Sequence, residues 1–364
     1  MRIARIRLFQ YRNLRNQEIA PGPGITLFSG FNGQGKTNVL EAIYFLAYGR
    51  SFHTSAPRDC VRYGESLCRI EGTIERRSLD RDLAVAISGT EKKLFLMGKP
   101  VPVDEFLGNL HLLAFTHEHL GVVRGGPAER RAFLDRAMVS IYPDHIMNLA
   151  AYSRALKQRN NVLGAMRDGK VTYETRFVDA WDESLSRSGA RVLLNRLKYV
   201  ERMKKELPKG LFGEEDIKLH YFSSLGTDST DISGIEEEFL EKLRIVREKD
   251  RCSGHTSVGP HRDDLKLYVN GKSLVDFGSS GQQRSCLLAL YFSQMEIHFS
   301  ENGFYPVFLV DDAEAELDEK RLQTFLWYLS SRTQTILTST RNFLIDSVQG
   351  DILHLEVKDG EVLG

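Results

Sequence analysis

Cysteine is scarce in this chain, at four residues in 364, and none of Cys60, Cys68, Cys252 and Cys286 forms a Cys-x-x-Cys pair. That spacing indicates neither a disulfide framework nor a zinc site, and it suits a reducing compartment. An excess of one charge is missing too, since Lys+Arg and Asp+Glu both number 49. Global charge therefore points to no partner, and attraction to nucleic acid would have to come from a local patch or a composite surface. No run approaches the ~18–20 apolar residues of a spanning helix. The opening Met1-Arg2-Ile3-Ala4-Arg5-Ile6 lacks a signal peptide's long apolar region. These absences predict a cytoplasmic protein with no membrane partner. What is present, 27% charged and 41% hydrophobic residues, is the balance of a folded chain with room for two or three domains.

Strand signals open the chain, with Ile3, Ile6 and Leu8 followed by the run Ile25-Thr26-Leu27-Phe28. Val39, Leu40, Ile43, Leu46 and Ala47 then recur at helical spacing. Three short β-rich runs, Arg69–Ile74, Leu83–Ile87 and Leu94–Met97, suggest an antiparallel side sheet, and Leu110–Phe115 a buried strand. From about Pro127 to Leu207 helix formers dominate, broken only around Gly164–Gly169. Ser223–Gly234 reads as a surface loop, followed by an amphipathic helix to about Asp250. Leu265–Val269 with the Asn270-Gly271 turn reads as a hairpin. After it come a helix from Gln282 to about Phe299, a buried strand Val307–Val310, a helix Lys320–Leu329, a strand Thr335–Thr338 and a hairpin Ile352–Val362. Strand and helix alternate at both ends with helices between, which predicts one α/β domain split by an insertion. The expected segments are an N-terminal lobe over 1–125, a helical arm over 126–250 with a short strand near 217–222, and a C-terminal lobe over 251–364.

Gly30-Phe31-Asn32-Gly33-Gln34-Gly35-Lys36-Thr37 matches G-x-x-x-x-G-K-[ST] between an apolar strand and a helix, the context that phosphate binding requires. Its glycines let backbone N–H groups wrap a phosphate, and the following helix adds its positive end. Lys36 would neutralise the β- and γ-phosphates of ATP, and the Thr37 hydroxyl would ligate Mg²⁺. The second half of such a site is a carboxylate at a strand end. Val307–Val310 is followed by Asp311, placed for the metal directly or through water, and by Asp312, placed to polarise an attacking water.

A third element, Gly278-Ser279-Ser280-Gly281-Gln282-Gln283-Arg284, opens a helix about 30 residues before Asp311 and forms another anion cradle. One chain does not need two cradles for one γ-phosphate, but a head-to-tail dimer does. The segment resembles the signature sequence of the ABC-type ATPases, with Ser279 in the serine position and Gly281 and Gln282 beside it. Glu316-Leu317-Asp318 resembles their D-loop.

Several further stretches together resemble the RecF family of bacterial recombination-mediator ATPases over essentially the whole chain. They are Tyr11-Arg12-Asn13, the loop continued by Asn38 and Leu40-Glu41-Ala42-Ile43, Gly49-Arg50-Ser51-Phe52, Glu129-Arg130-Arg131, Phe133-Leu134-Asp135, and Gly259-Pro260-His261-Arg262-Asp263-Asp264-Leu265. The resemblance implies an α/β, ABC-type P-loop ATPase head with an antiparallel side sheet and an inserted helical arm. It adds Arg12 and Asn38 to the nucleotide contacts. It also implies an ATP-dependent homodimer that clamps DNA, with RecR and RecO as partners in loading a recombinase at gaps. The family pattern is broken in three places. His53 follows Gly-Arg-Ser-Phe where arginine is common, Thr116-His117-Glu118-His119-Leu120 replaces a Ser-Pro-Glu-Asp-Leu-like motif, and Thr338-Ser339-Thr340-Arg341 stands where many ABC ATPases carry a switch histidine. His261, in a loop rich in charged partners, reads as structural.

DNA contacts would come from local basic residues. Arg187, Arg191, Arg196, Lys198, Arg202, Lys204, Lys205 and Lys209 face only Glu201 and Glu206, a net +6 over 23 residues. Arg130 and Arg131 form a second candidate with Arg124 and Arg136. Such contacts reach phosphates of duplex DNA or a single/double-strand junction without reading sequence. A transporter's nucleotide-binding subunit lacks a helical insertion with this basic arm. A chromosome-structural ATPase needs a much longer arm than ~80 helical residues supply at ~1.5 Å each. A small-molecule kinase would leave the signature segment unexplained.

Overall fold

The computed structural model describes residues 1–76, 79–139, 141–142, 144–170, 176–211, 215–312, 317–340 and 352–364. In chain order its strands are β1 (Arg2–Phe9), β2 (Gln17–Ile19), β3 (Ile25–Ser29), β4 (Leu67–Arg76), β5 (Leu79–Ser88), β6 (Glu91–Leu96), β7 (Lys99–Val101), β8 (Leu112–Phe115), β9 (Ile217–Phe222), β10 (Asp264–Val269), β11 (Lys272–Ser273), β12 (Val307–Val310), β13 (Thr335–Ser339), β14 (Ile352–Lys358) and β15 (Glu361–Leu363). The chain forms two compact units. One comprises Met1–Glu118, Leu211–Gly213 and His298–Gly364, the other His119–Gly210 and Glu214–Ile297.

The first unit holds two six-stranded sheets. The core sheet runs β15-β14-β3-β13-β12-β8, parallel except for the terminal β14–β15 hairpin. Every residue of β3, β12 and β13 is buried, which explains why none of them alternates apolar and polar residues and why β12 reads as an unbroken apolar run. The side sheet, β2-β1-β4-β5-β6-β7, is antiparallel throughout and alternates along β4 as a sheet with one covered face should. The helix Lys36–Tyr48 packs between the two sheets with ten of its thirteen residues buried, so its apolar surface extends all round. Gly72 on β4 admits this close packing, because a Cβ there would lie 2.7 Å from the Leu46 side chain.

The second unit contains the helices Pro127–Met138, His145–Arg167, Arg176–Glu206, Ile232–Ile245 and Arg247–Ser253, most of the helix Ser280–Asn302, and the antiparallel sheet β11-β10-β9. The helical stretch expected over 127–207 breaks in a different pattern. Gly164 lies inside a helix that continues to Arg167, and an additional break follows Met138. Tyr142 precedes Pro143, and the residue before a proline is disfavoured in the helical region. The helix expected after Gly234 begins at Ile232, because the Asp231 carboxylate accepts the Gly234 N–H at 3.0 Å as an N-cap. The strand expected near 217–222 is β9, the edge of the small sheet. Residues 251–297 cluster with the helical unit. Among the described residues no helix is long and apolar enough to cross a membrane.

Candidate nucleotide site

The phosphate loop joins β3 to the helix Lys36–Tyr48, in a conformation that its glycines make accessible. Gly35 stands at the helix start with φ 116°, a region costly for any residue with a Cβ. Gly30, at φ 146°, passes so near β14 that a Cβ would sit 2.3 Å from the Val357 carbonyl oxygen. Two other segments brace the loop. The Asn13 amide donates to the Gly33 carbonyl at 3.1 Å and accepts from Asn38 at 2.7 Å. The β14–β15 turn donates through the Asp359 N–H to Gln34 Oε1 at 2.5 Å and through the Gly360 N–H to the Gln34 carbonyl at 3.2 Å.

Within this frame the buried Lys36 ammonium donates to the Gly30 and Phe31 carbonyls at 2.8 and 3.0 Å, folded over the loop that it serves. The Thr37 hydroxyl donates to Asp311 Oδ1 at 2.9 Å, bringing together the two oxygens expected at the metal. They come from the first turn of the helix and from the end of the parallel strand β12, which β13 separates from β3. Both are hard oxygen donors, a set that fits Mg²⁺. Thr338, fully buried at the end of β13, holds the acidic pair. Its hydroxyl donates to Asp311 Oδ1 at 2.7 Å and accepts the Asp312 N–H at 2.9 Å. Asp312 carries a positive φ of 49°, a conformation this bond helps maintain. A pocket of about 280 Å³ opens here, lined among others by Gly33, Lys36, Thr37, Asn38, His53 and Asp312.

Arg12 behaves differently from the other expected nucleotide contacts. Its guanidinium grips the fully buried Glu41 in a two-point ion pair at 2.9 and 2.7 Å and donates to the Asp59 carbonyl at 2.9 Å. Burial pushes the Glu41 carboxyl up, but Arg12 and Ser51 outweigh it and hold the group below its usual range. The Ser51 hydroxyl donates to Glu41, and its oxygen accepts the N–H groups of His53 at 2.8 Å and Thr54 at 3.0 Å. Glu41, Ser51, Asn13 and Thr338 are thus part of the site architecture although no role was assigned to them from sequence. Asn13, Glu41 and Ser51 stand in stretches that resemble the RecF family, and Thr338 stands where many ABC ATPases carry a switch histidine, so the residues were visible in the sequence but their partners were not.

In the second unit the signature segment begins the helix Ser280–Asn302. Ser279 is exposed and forms a reciprocal cap, its hydroxyl accepting the Gln282 N–H at 3.2 Å and its own N–H reaching Gln282 Oε1 at 3.0 Å. Gln283 accepts from Arg124 at 2.9 Å. Of the D-loop residues, Asp318 caps the helix Glu319–Ser330 by accepting the Arg321 N–H at 3.0 Å, while Glu316 lies outside the described residues, as does Arg341.

The basic candidates divide by burial. Arg130 is buried and donates to both Asp264 oxygens at 2.7 and 3.0 Å and to the Gly125 carbonyl, which corrects its expected place at a DNA surface. Arg196 is likewise buried, two-pronged on Asp135 at 2.8 Å, and donates to the Pro260 carbonyl. Burial pushes Asp135 up, yet His145 and Arg196 hold it below the usual carboxylate range. Arg131 is half-buried and donates to the Asp263 carbonyl at 2.7 Å. Arg191, Lys198, Lys204 and Lys205 are exposed, and Arg202 is half-buried. His261 is a structural residue. Tyr152 meets its Nδ1 at 2.6 Å, Thr256 O lies 3.1 Å from its Nε2, and burial pushes its pKa down to about 4.

The family model described as RecF/RecN/SMC N terminal domain matches residues 2–360. Similar proteins include the DNA replication and repair protein RecF of Halothermothrix orenii, 35% identical over 96% of this chain and 94% of that protein. The protein of the same name from Geotalea daltonii is 33% identical over the full length of both. Among solved structures, that of the recombination mediator protein RecF-ATPrS in the RecFOR pathway superposes with a TM-score of 0.90 at 29% identity, covering 100% of this chain and 97% of the other. The RecF-ATP structure superposes with a TM-score of 0.88 at the same identity. An ABC-type head built around a phosphate loop is matched along nearly its whole length, and the chain belongs to the RecF family.

Proposed function

We propose that this chain is an ATP-hydrolysing DNA clamp of replication and repair. The observation that carries the reading is the convergence of Lys36, Thr37 and Asp312 on one pocket, with Asp311 bonded to Thr37 and Thr338 clamping the two acids. In this reading Lys36 leaves the loop carbonyls for the β- and γ-phosphates of ATP, and the loop N–H groups, with Asn32, Gln34 and Asn38 beside them, cradle the chain of phosphates. Thr37 and Asp311 would hold Mg²⁺, which when bound neutralises phosphate charge. Asp312 accepts a proton from the attacking water. Arg12 acts through Glu41 on the Ser51 loop and not on the nucleotide itself.

Ser279, with Gly281 and Gln282 at an exposed helix start, caps the γ-phosphate held by a second copy, so that ATP closes a homodimer and slow hydrolysis opens it. The lobes 1–125 and 251–364 would supply the two halves of each composite site, and the arm 126–250 would meet DNA. On the helix Arg176–Glu206, Arg191, Lys198, Arg202 and Lys205 fall within about 60° of one another at 100° per residue, while Lys204 lies about 100° away from the nearest of them. With Arg131, they suit the phosphates of duplex or junction DNA, contacted without sequence preference. The RecFOR context of the solved relatives supports RecR and RecO as partners, and DNA as a substrate supports a cytoplasmic site of action.

Sedimentation with Mg-ATP and with Mg-ADP tests the clamp. The expected result is a wild-type dimer with ATP alone and a Ser279→Arg monomer under both conditions. A wild-type monomer with ATP would overturn the mechanism.

A further inference from the structure

Two phenyl rings stand in the open beside the two motifs that the clamp reading brings together. Phe31, inside the phosphate loop of the first unit, is 84% exposed, and Phe277, two residues before Ser279 in the second unit, is 73% exposed. Among the described residues no other Phe, Leu, Ile, Val, Met or Trp exceeds 68%. A single exposed apolar side chain is ordinary, so the information lies in the placement. The Phe31 carbonyl accepts the Lys36 ammonium at 3.0 Å and the Gln34 N–H at 3.4 Å, which fixes this residue next to the amine that serves a terminal phosphate. Phe277 ends the short helix Leu274–Phe277, anchored by the fully buried Leu274. The Gly278 N–H closes that turn on the Leu274 carbonyl at 3.0 Å, and a Cβ on Gly278 would sit 2.5 Å from the same oxygen. This tight exit holds Phe277 beside Ser279 with its ring uncovered.

We propose that Phe31 of one copy packs against Phe277 of a second copy when ATP closes the dimer, so that the partner gives the phosphate loop an apolar contact as well as a cap on the γ-phosphate. The proposal deepens the clamp reading and rests on it. In that reading the γ-phosphate meets Lys36 of one chain and Ser279 of the other. Phe31 is bonded to Lys36 through its carbonyl. Phe277 lies at most about 7 Å from Ser279 between Cα atoms. One phosphate therefore brings the two rings within reach of each other. Neither ring is covered by its own chain, which leaves the second copy to cover them. In a two-fold dimer the contact forms twice. Aromatic rings bury about 150–250 Å² each, so four bury about 600–1,000 Å² together. That falls short of the roughly 1,200–2,000 Å² of a stable interface. The rings thus tighten a dimer that nucleotide has aligned and do not form one without it.

The test is sedimentation of the full chain with Mg-ATP for wild type, Phe31→Ala, Phe277→Ala and the double variant. Each single substitution is expected to raise the dimer dissociation constant about tenfold. The double variant should lose about twentyfold at most, because the second ring has already lost its partner, whereas independent rings would give about a hundredfold. Thermal midpoints should stay near wild type, since both rings are exposed. The pairing itself is read by mixing chains that carry Phe31→Cys with chains that carry Phe277→Cys and adding a short bismaleimide. Both carry Cys252→Ser as well, which removes the exposed thiol. Cross-linked dimers with one chain of each kind are expected with Mg-ATP and not with Mg-ADP. A dimer as tight in both single variants as in wild type would overturn the proposal. So would fully additive losses, or cross-linking that is absent with ATP or indifferent to nucleotide. A wild type that stays monomeric with Mg-ATP would instead overturn the clamp reading on which the proposal rests.

Discussion

In the unit that carries the phosphate loop, Lys36, Thr37 and Asp312 border an open pocket, with the Lys36 ammonium on the loop carbonyls and the Thr37 hydroxyl on Asp311. In the helical unit the strongest cations are enclosed. Arg159 is fully buried between Asp182 at 2.6 Å and Asp250 at 2.7 Å, with the Thr256 hydroxyl also in reach. Arg247 reaches the same Asp182 and also Asp179. Arg196 and Arg130 complete the pattern on Asp135 and Asp264. Like residues therefore do unlike work. In the first unit charged and polar groups gather at an open pocket beside the buried Arg12–Glu41 pair, whereas in the second charge ties helices and strands distant in sequence into one body. A run of net +6 on the arm holds both kinds, since Arg196 is enclosed and Arg191 and Lys198 are exposed.

The largest expected effect lies on the enclosed side. Arg159→Ala removes the cation between two buried carboxylates, of which Asp182 keeps Arg247, and should destabilise the helical unit by about 3–5 kcal/mol, read as a lowered midpoint in denaturant. A change below about 1 kcal/mol would remove the distinction drawn between the units. Next comes Lys36→Ala, which should weaken ATP binding about a hundredfold by removing charge-assisted bonds to phosphate, while thermal stability stays near wild type. An equal loss of stability would place Lys36 among the structural cations. The smallest effect on the fold is expected from the double variant Arg191→Glu, Lys198→Glu. Its stability should shift by no more than about 0.5 kcal/mol, while DNA affinity falls and the salt dependence of binding becomes shallower by roughly two phosphate contacts. An unchanged salt slope would remove this helix face from the DNA surface.

Reading the sequence located the core strands closely. Val307–Val310 is β12 residue for residue, and the helix 36–48 has the expected ends, because a fully buried strand and a glycine-bounded helix leave local signatures. The helical region was less legible. Its break after Met138 and the start at Ile232 depend on one residue before a proline and one capping side chain, signals weaker than the periodicity around them. At the site, the glycines, Lys36, Thr37 and the Asp311-Asp312 pair were visible as motifs. Thr338, Glu41 and Ser51 stood in stretches that the family resemblance singled out, but their roles exist only once β12 lies beside β13 and the Ser51 loop lies over the helix.

The sequence by itself determined the phosphate-loop motif, the acidic pair after a buried strand and the membership of one family, because each resides in short runs whose backbone demands or spacing are specific. Only the tertiary structure decided which arginines are pillars and which face solvent, that Arg12 serves Glu41, and that His53 reaches the nucleotide pocket. Those outcomes turn on burial and on partners tens to hundreds of residues away, and the free energy of a charge depends on its surroundings far more than on its neighbours in the chain.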